Sequence, residues 1–357
     1  MRMRVIIDIL TPKQCMFFSR LSERLRRRGH EVFNVSRRYR EVISLLELKG
    51  LEAKIIGKHG GKELVDKLKA SANRILELTS YFEEVDPDVA VSFSSPETAR
   101  VSYGLKVPHI CINDSPHAEA VARLTVPLST RLLGPKIIPK EAWIRYGISA
   151  EKIIQYDALD PWAWLKDFTP DKSVLRELGL SDSKPILTFR PEEEFAAYLA
   201  GKTEGKTRII PVIEQVLAER DDIQIVAIPR YTEQIESLRE YFKEKIIICH
   251  SPIDGPSLLS YTSIFIGGGG TMTTEAALLG VPTFSCYPGE PFIVLKYLVE
   301  KKLVNLERDP KILAEKAMVL LDNIEYEKRR QAERAKRLVE TFEDPIEVIT
   351  AEIEKAI

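Results

Sequence analysis

The sequence predicts an α/β protein built from two doubly wound parallel sheets. Three observations carry this. Short apolar runs alternate with amphipathic helical stretches along the first half. The rhythm breaks between Tyr156 and Asp171, where Asp160-Pro161, Trp162, Trp164 and Thr169-Pro170 read as an interdomain connection, and then restarts. A chain of 357 residues also exceeds one ordinary core.

The elements follow in order. Arg4 to Leu10 is a strand, and Gln14 to Arg28 a helix stopped by Gly29. Glu31 to Val35 is a strand, Tyr39 to Lys49 a helix stopped by Gly50, and Ala53 to Ile56 a strand. A long helix from Lys62 to Val85 ends at Asp86-Pro87. Val89 to Phe93, Val107 to Ile112 and Thr130 to Leu133 are strands, with helices at Glu97 to Gly104 and His117 to Leu124 between them. After the break come strands at Pro185 to Phe189, Ile223 to Ile228 and Ile246 to Cys249. Helices at Ile209 to Glu219, Tyr231 to Phe242 and Gly255 to Tyr261 alternate with them. Residues 1–160 are thus expected to form one domain and residues 161–344 a second, with ligands at the carboxyl ends of the strands.

Composition excludes several classes. Hydrophobic content of 44% and charged content of 29% fit a globular chain. No signal peptide and no bilayer-spanning apolar run is read, so a cytoplasmic protein is expected. The four cysteines, Cys15, Cys111, Cys249 and Cys286, show no metal spacing, and the chemistry is expected to need no metal or other cofactor. The net charge of −1 is uneven: 26 basic against 20 acidic side chains in residues 1–165, and 26 against 33 beyond. The basic excess gathers at Arg20, Arg24, Arg26, Arg27 and Arg28, then Arg37, Arg38 and Arg40. A solvated helix face explains such a run. So does attraction to an anionic membrane surface, with Met16, Phe17 and Phe18 alongside. Nucleic acid is not expected, because the protein as a whole is not basic and aromatics do not interleave the arginines.

The chemistry concentrates in Ile264-Phe-Ile-Gly-Gly-Gly-Gly-Thr-Met-Thr-Thr-Glu275. A buried strand runs into Gly267 to Gly270, and a helix opens behind it. Without a Cβ, Gly268, Gly269 and Gly270 let backbone N–H groups approach an anion. The first helical residues, Thr271 and Met272, add the orphan N–H groups and the helix dipole. Glu275 stands one turn in, where a carboxylate can take two ribose hydroxyls. No Gly-Lys-Ser/Thr follows, so this is not a Walker loop, and no Gly-x-Gly-x-x-Gly follows the first strand. Arg190 and Arg230 end two further strands, each placed to neutralise phosphate. Arg190 also opens an acidic loop, Arg190-Pro-Glu-Glu-Glu194.

The continuation Glu275-Ala-Ala-Leu-Leu-Gly-Val-Pro282 resembles the donor-site signature of GT-B glycosyltransferases and of the non-hydrolysing UDP-N-acetylglucosamine 2-epimerases. The chain more closely resembles a family of unknown function, common in archaea, assigned to that superfamily. The resembling segments are Arg24 to Val32, Ile56 to Gly61, Asn113 to Leu124 and the glycine segment. The resemblance implies the GT-B fold, with two Rossmann-like domains facing a cleft and a terminal helix, 345–357, crossing back to the first. It also implies a nucleotide-sugar donor, expected to be a UDP-sugar. The glycine segment then holds the diphosphate and Glu275 the ribose. The Ser251-Pro-Ile253 loop packs its backbone on the nucleobase, and Glu290, in Tyr287-Pro-Gly-Glu-Pro291, meets the sugar hydroxyls.

In the first domain, Asn113-Asp114-Ser115-Pro116-His117-Ala118-Glu119 follows a strand and opens a helix. Asp114 or Ser115 is placed to be its N-cap. Asp114, His117 and Glu119 together also make a catalytic cluster, with His117 or Asp114 as the base that deprotonates an acceptor hydroxyl. The first-strand loop, Thr11-Pro-Lys13-Gln14, lacks the glycines and the histidine of resembling transferases, which shifts the base to His117. Thr11, Lys13 and His59, in Gly57-Lys-His-Gly-Gly61, are the acceptor-side candidates, while His30, His109 and His250 read as structural.

The expectation is a metal-independent glycosyltransferase with a lipid-linked or anionic acceptor at the inner membrane face. Two alternatives stand beside it. Pro116-His-Ala-Glu-Ala-Val-Ala-Arg123 resembles the epimerases' His-Val-Glu-Ala-Gly-Leu-Arg, although their Thr-x-His-Arg-x-Glu-Asn loop has no histidine in Thr188-Phe-Arg-Pro-Glu192. The other is a nucleotide-sugar-binding protein without catalysis.

Overall fold

The computed structural model describes residues 2–61, 63–191, 208–230 and 232–356, Arg40 by its backbone only. The acidic loop at Glu192 to Glu194 lies outside them. The chain forms two compact units: Met1–Lys166 with Phe342–Ile357, and Asp167–Thr341.

The first unit is a seven-stranded sheet of β1 (Arg4–Ile9), β2 (Glu31–Arg38), β3 (Lys54–Lys58), β4 (Val89–Ser92), β5 (His109–Ile112), β6 (Arg131–Pro135) and β7 (Ile153–Tyr156). Its order is β3-β2-β1-β4-β5-β6-β7, and every pairing is parallel. β7 was not among the expected strands. Its four residues, half of them incompletely buried, are too few to show a period. Tyr156 therefore ends a strand, and Trp164, two percent exposed, belongs to the core of this unit.

The helix Pro12–Arg27 shows how the pattern works. Cys15, Phe17, Phe18, Leu21 and Leu25 recur at helical spacing, and all are fully buried. Gly29, at φ 89°, ends it in the left-handed region. This corrects the expectation that Phe17 and Phe18 help the basic cluster dock on a membrane. Phe17 and Phe18 pack edge to face with each other and are unavailable to a lipid surface. The neighbouring arginines already have partners: Arg24 pairs with Glu347, and Arg28 with both Glu347 and Glu354. Those glutamates sit on the Pro345–Glu354 helix, which also reaches His30 through Glu354 and Arg131 through Glu352. No helix among the described residues is long and apolar enough to cross a membrane.

The second unit is a six-stranded parallel sheet of β8 (Ile186–Arg190), β9 (Gln224–Ala227), β10 (Ile247–Ile248), β11 (Ile264–Gly267), β12 (Thr283–Ser285) and β13 (Asn305–Leu306). The order is β10-β9-β8-β11-β12-β13. Leu187, Phe189, Ile264, Ile266 and Phe284 face a core completed by the helices Ile209–Glu219 and Pro310–Asp322. In each sheet the strand order reverses once, beside β1 and β4 in one and beside β8 and β11 in the other. The crevice outside the carboxyl ends at such a point is where open α/β sheets take ligands.

One buried ion pair anchors the first sheet. Asp8 in β1 and Arg74 in the Leu64–Val85 helix are both essentially inaccessible, and they pair through two bonds of 2.6 and 2.9 Å. Thr98 donates a third bond to the carboxylate, and the Arg74 Nε donates to the Ile56 carbonyl. Burial alone would raise the Asp8 pKa. The Arg74 charge and the bonds from Arg74, Thr98 and Ser95 outweigh it and hold the carboxyl below its usual value. Asp8→Ala is expected to cost about 3–5 kcal/mol by leaving a buried guanidinium unpaired, while Asp8→Leu with Arg74→Met restores most of that loss. Denaturant unfolding of the variants at neutral pH checks both.

Candidate functional site

The second unit presents the glycine segment at the carboxyl end of β11. Gly267 is in register with Arg190, the last residue of β8. Gly269 and Gly270 have φ of 91° and 90°, a conformation L side chains resist. Gly270 is the N-cap of the Thr271–Leu278 helix and offers no side chain to its N–H groups. A Cβ on Gly269 would stand 3.3 Å from the Tyr287 ring, and Tyr287 meets Phe292 edge to face at 5.5 Å. Two aromatic rings thus wall the loop on one side. Thr271 and Met272 are half-buried, Met272 and Ile253 both packing against the core that holds Cys249 and Leu258, and Glu275 is 4% exposed within the helix. The Thr273 hydroxyl is buried without a hydrogen-bond partner, and it lies against Gly267. Arg308 fixes the following loop, donating to the carbonyls of Tyr287 and Gly289 at 3.3 and 2.9 Å.

Other predicted donor residues are less convergent. Arg230 is half-buried behind β9, its backbone N–H donating to Gln234. Ser251 is exposed. Glu290 projects into solvent and pairs with Lys296 at 2.9 Å.

In the first unit the central group is Lys13. Its ammonium lies 2.5 Å from Asp114 at the end of β5 and 2.6 Å from Asp160 beyond β7, and it sits 4.2 Å above the Phe93 ring. Asp160 is almost wholly buried and accepts a bond from the Tyr156 hydroxyl, whereas the Asp114 side chain is 21% exposed. Two carboxylates thus share one cation, so one of them must hold the proton longer. Burial raises Asp160, its neighbour Asp114 adds to that, and Lys13 offsets only part, leaving a pKa of about 6. Burial also opposes ionisation of Asp114, but Lys13 and Ser115 outweigh it and hold Asp114 below its ordinary value.

Three expectations about this loop change. The helix opens later, at Glu119, and its N-cap is Ala118 with no side-chain cap bond. Neither Asp114 nor Ser115 caps it, because the loop's polar groups bond one another: Asn113 accepts from the Ser115 N–H, and the Ser115 hydroxyl donates to Asp114. Glu119 leaves the cluster and pairs with Arg123 one turn on, both well exposed. His117 stays with it, solvent-exposed at the turn. Partial desolvation lowers the His117 pKa and the Asp114 charge offsets part of that, so the ring is neutral at neutral pH. Thr11 is the half-buried N-cap of the first helix, without a side-chain cap bond. His59 falls outside this cluster, at the end of β3.

Sequence reasoning missed Asp160 and Tyr156, since Asp-Pro at a break in the rhythm reads as a turn. It also missed Asp8, although one carboxylate inside an otherwise apolar strand, Arg-Val-Ile-Ile-Asp-Ile, was a usable signal.

The sequence profile of the DUF354 family, described as a protein of unknown function, matches residues 3–357, and the chain belongs to that family. An uncharacterized protein of Methanocaldococcus jannaschii is 35% identical over 302 residues, spanning 83% of this chain and 85% of that one. Among solved structures, the Neisseria meningitidis UDP-GlcNAc 2-epimerase bound to UDP-GlcNAc is similar with a TM-score of 0.76 at 16% identity, covering 99% of this chain and 100% of that one. The M. jannaschii UDP-GlcNAc 2-epimerase in complex with UDP-GlcNAc and UDP gives 0.67 at 18% identity, covering 89% and 93%. Spinosyn forosaminyltransferase gives 0.66 at 15% identity, covering 100% of both. At such identities the likeness is one of fold, and that fold is GT-B.

The Lys13 cluster makes a signed prediction. Carboxylate ¹³C NMR should give Asp160 a midpoint near 6. Lys13→Met should move it up by removing the cation, and Asp114→Asn should move it down by removing the like charge.

Proposed function

We propose that this chain is a nucleotide-sugar glycosyltransferase, with the donor on the second unit and the acceptor on the first. The observation that carries this is the β11 glycine turn: two left-handed glycines opening a helix, Arg190 in register with Gly267 at the strand end, and a buried carboxylate one turn along. Such a turn presents N–H dipoles to a diphosphate, and Arg190 adds a full charge where negative charge grows as the nucleoside diphosphate departs. Glu275 takes the ribose hydroxyls, and the Ile253 and Met272 surface lies under the base. The epimerase and transferase neighbours support nucleotide-sugar chemistry in general terms.

On the acceptor side, neutral His117 removes the proton as the hydroxyl oxygen attacks the anomeric carbon. The sugar–phosphate bond breaks, and the diphosphate keeps the electron pair. Asp114 stabilises the imidazolium so formed, and Lys13 holds Asp114 in place. Two departures favour transfer over epimerisation. Arg190-Pro191 stands where the epimerases place a histidine, and Glu119 is tied to Arg123 in solvent. The epimerase remains a second reading because the Neisseria enzyme is the nearer of the two in fold, 0.76 against 0.66.

UDP and UDP-N-acetylglucosamine are expected to raise the melting temperature of the wild type. Glu275→Ala should weaken that binding about 10- to 100-fold, the worth of charge-assisted bonds of about 1.5–3 kcal/mol. No shift with any nucleotide sugar would end the donor-site reading. Incubation with UDP-N-acetylglucosamine in D₂O separates the two enzymes: deuterium entering at C2 identifies an epimerase, and its absence with sugar transfer to an added acceptor a transferase. In a turnover assay, the acid limb of kcat/KM should lie below pH 6.5 and move lower still in Asp114→Asn, because losing that carboxylate lowers the His117 pKa further.

A further inference from the structure

A second arginine stands beside the Asp8–Arg74 pair, and its situation is the opposite. Arg37 lies at the carboxyl end of β2, next to β1. Among the described residues its guanidinium makes no ion pair and no hydrogen bond, and its Nε is shut off from solvent. The nearby carboxylates are already engaged. Asp8 holds Arg74 through two bonds, and Glu97 accepts from the Ser95 hydroxyl and lies 3.9 Å from Arg74. A desolvated, unpaired guanidinium adds nothing to folding, so its place in the fold needs another explanation.

The end of β3 supplies it. The His59 N–H donates to the Arg38 carbonyl, which brings the imidazole to the end of β2, stacked on Tyr39 at 4.8 Å. The Gly61 N–H donates to His59 Nδ1 at 3.2 Å. That nitrogen therefore carries no proton, and the neutral ring must present Nε2–H as a donor. Partial burial, then the charges of Arg37 and Lys67, keep the ring neutral. Gly60 brings this loop against the start of the Leu64–Val85 helix: a Cβ there would stand 2.4 Å from the Lys67 Cα. The unpaired guanidinium, the fixed Nε2–H donor and the Lys67 charge are thus electrostatic neighbours around the ends of β2 and β3.

We propose that Arg37 and His59 form a binding site for an oxyanion, a carboxylate or phosphoryl group. A planar guanidinium matches two oxygens of such a group, and a neutral Nε2–H donor completes it without demanding a second full charge. That the oxyanion belongs to the acceptor rests on the transferase reading. The site itself does not, and its test uses no nucleotide.

The test titrates inorganic phosphate, and separately acetate, into the full chain. The readout is the C2 proton resonance of His59, assigned by its loss in His59→Gln. A saturable shift in wild type and in Glu275→Ala, weakened at least tenfold in Arg37→Gln, is expected. Response to either anion upholds the site and says which oxyanion it prefers. No saturable shift, or one that survives Arg37→Gln, overturns it. The melting temperature of Arg37→Gln guards against a folding artefact: a ligand-binding arginine leaves it equal to or above wild type, whereas a fall assigns Arg37 to the fold and overturns the proposal.

Discussion

The first unit depends on one buried ion pair, Asp8 with Arg74. It joins four elements at the point where the strand order reverses: β1 through Asp8, β3 through the Ile56 carbonyl, and two helices through Arg74 and Thr98. Gly57 exists to admit it, since a Cβ there would fall within 3.1 Å of three Arg74 carbons. A pair this deep gives little net stability over an apolar substitute of equal volume, but losing either partner is severe. Its main consequence is geometric. With Asp8 and Glu97 engaged by other partners, the neighbouring Arg37 feels their charge but makes no ion pair with any described residue.

The Lys13 cluster follows the same electrostatic logic to a different end. One ammonium between two carboxylates fixes the net charge at −1 when all are ionised, and burial decides where the strain falls. The deeper carboxyl, Asp160, holds a proton up to about pH 6, while Asp114, nearer solvent, stays charged. A charged Asp114 beside a neutral His117 is the pairing that base catalysis needs. Burial pushes the thiols of Cys15 in the first unit and Cys249 in the second up to about 12, far from a reactive thiolate.

Much of the fold was legible because its signals are local. The Pro12–Arg27 helix shows its apolar period, Gly29 its stop, and the segment from Ile264 to Glu275 its strand, turn and helix within twelve residues. Legibility failed where an element is short or its meaning lies elsewhere. β7 is four residues long, and its place is set by pairing with β6. Phe17 and Phe18 beside five arginines look the same on a membrane-facing helix as on one packed inward, and only the Pro345–Glu354 helix, over three hundred residues away, supplies the glutamates that decide it.

By itself the sequence determined the fold class, the family and the glycine turn, since periodicity, turn chemistry and a contiguous motif are written along the chain. The tertiary structure decided which charged groups meet. Lys13 reaches Asp114 across 101 positions and Asp160 across 147, and Arg74 reaches Asp8 across 66. A parallel sheet brings the carboxyl ends of distant strands to one edge, so groups with no sequence relation become neighbours there. That is why Asp160, Tyr156 and Arg37 emerged as candidate site residues only from the folded chain, while Glu119, near Asp114 in sequence, pairs elsewhere with Arg123.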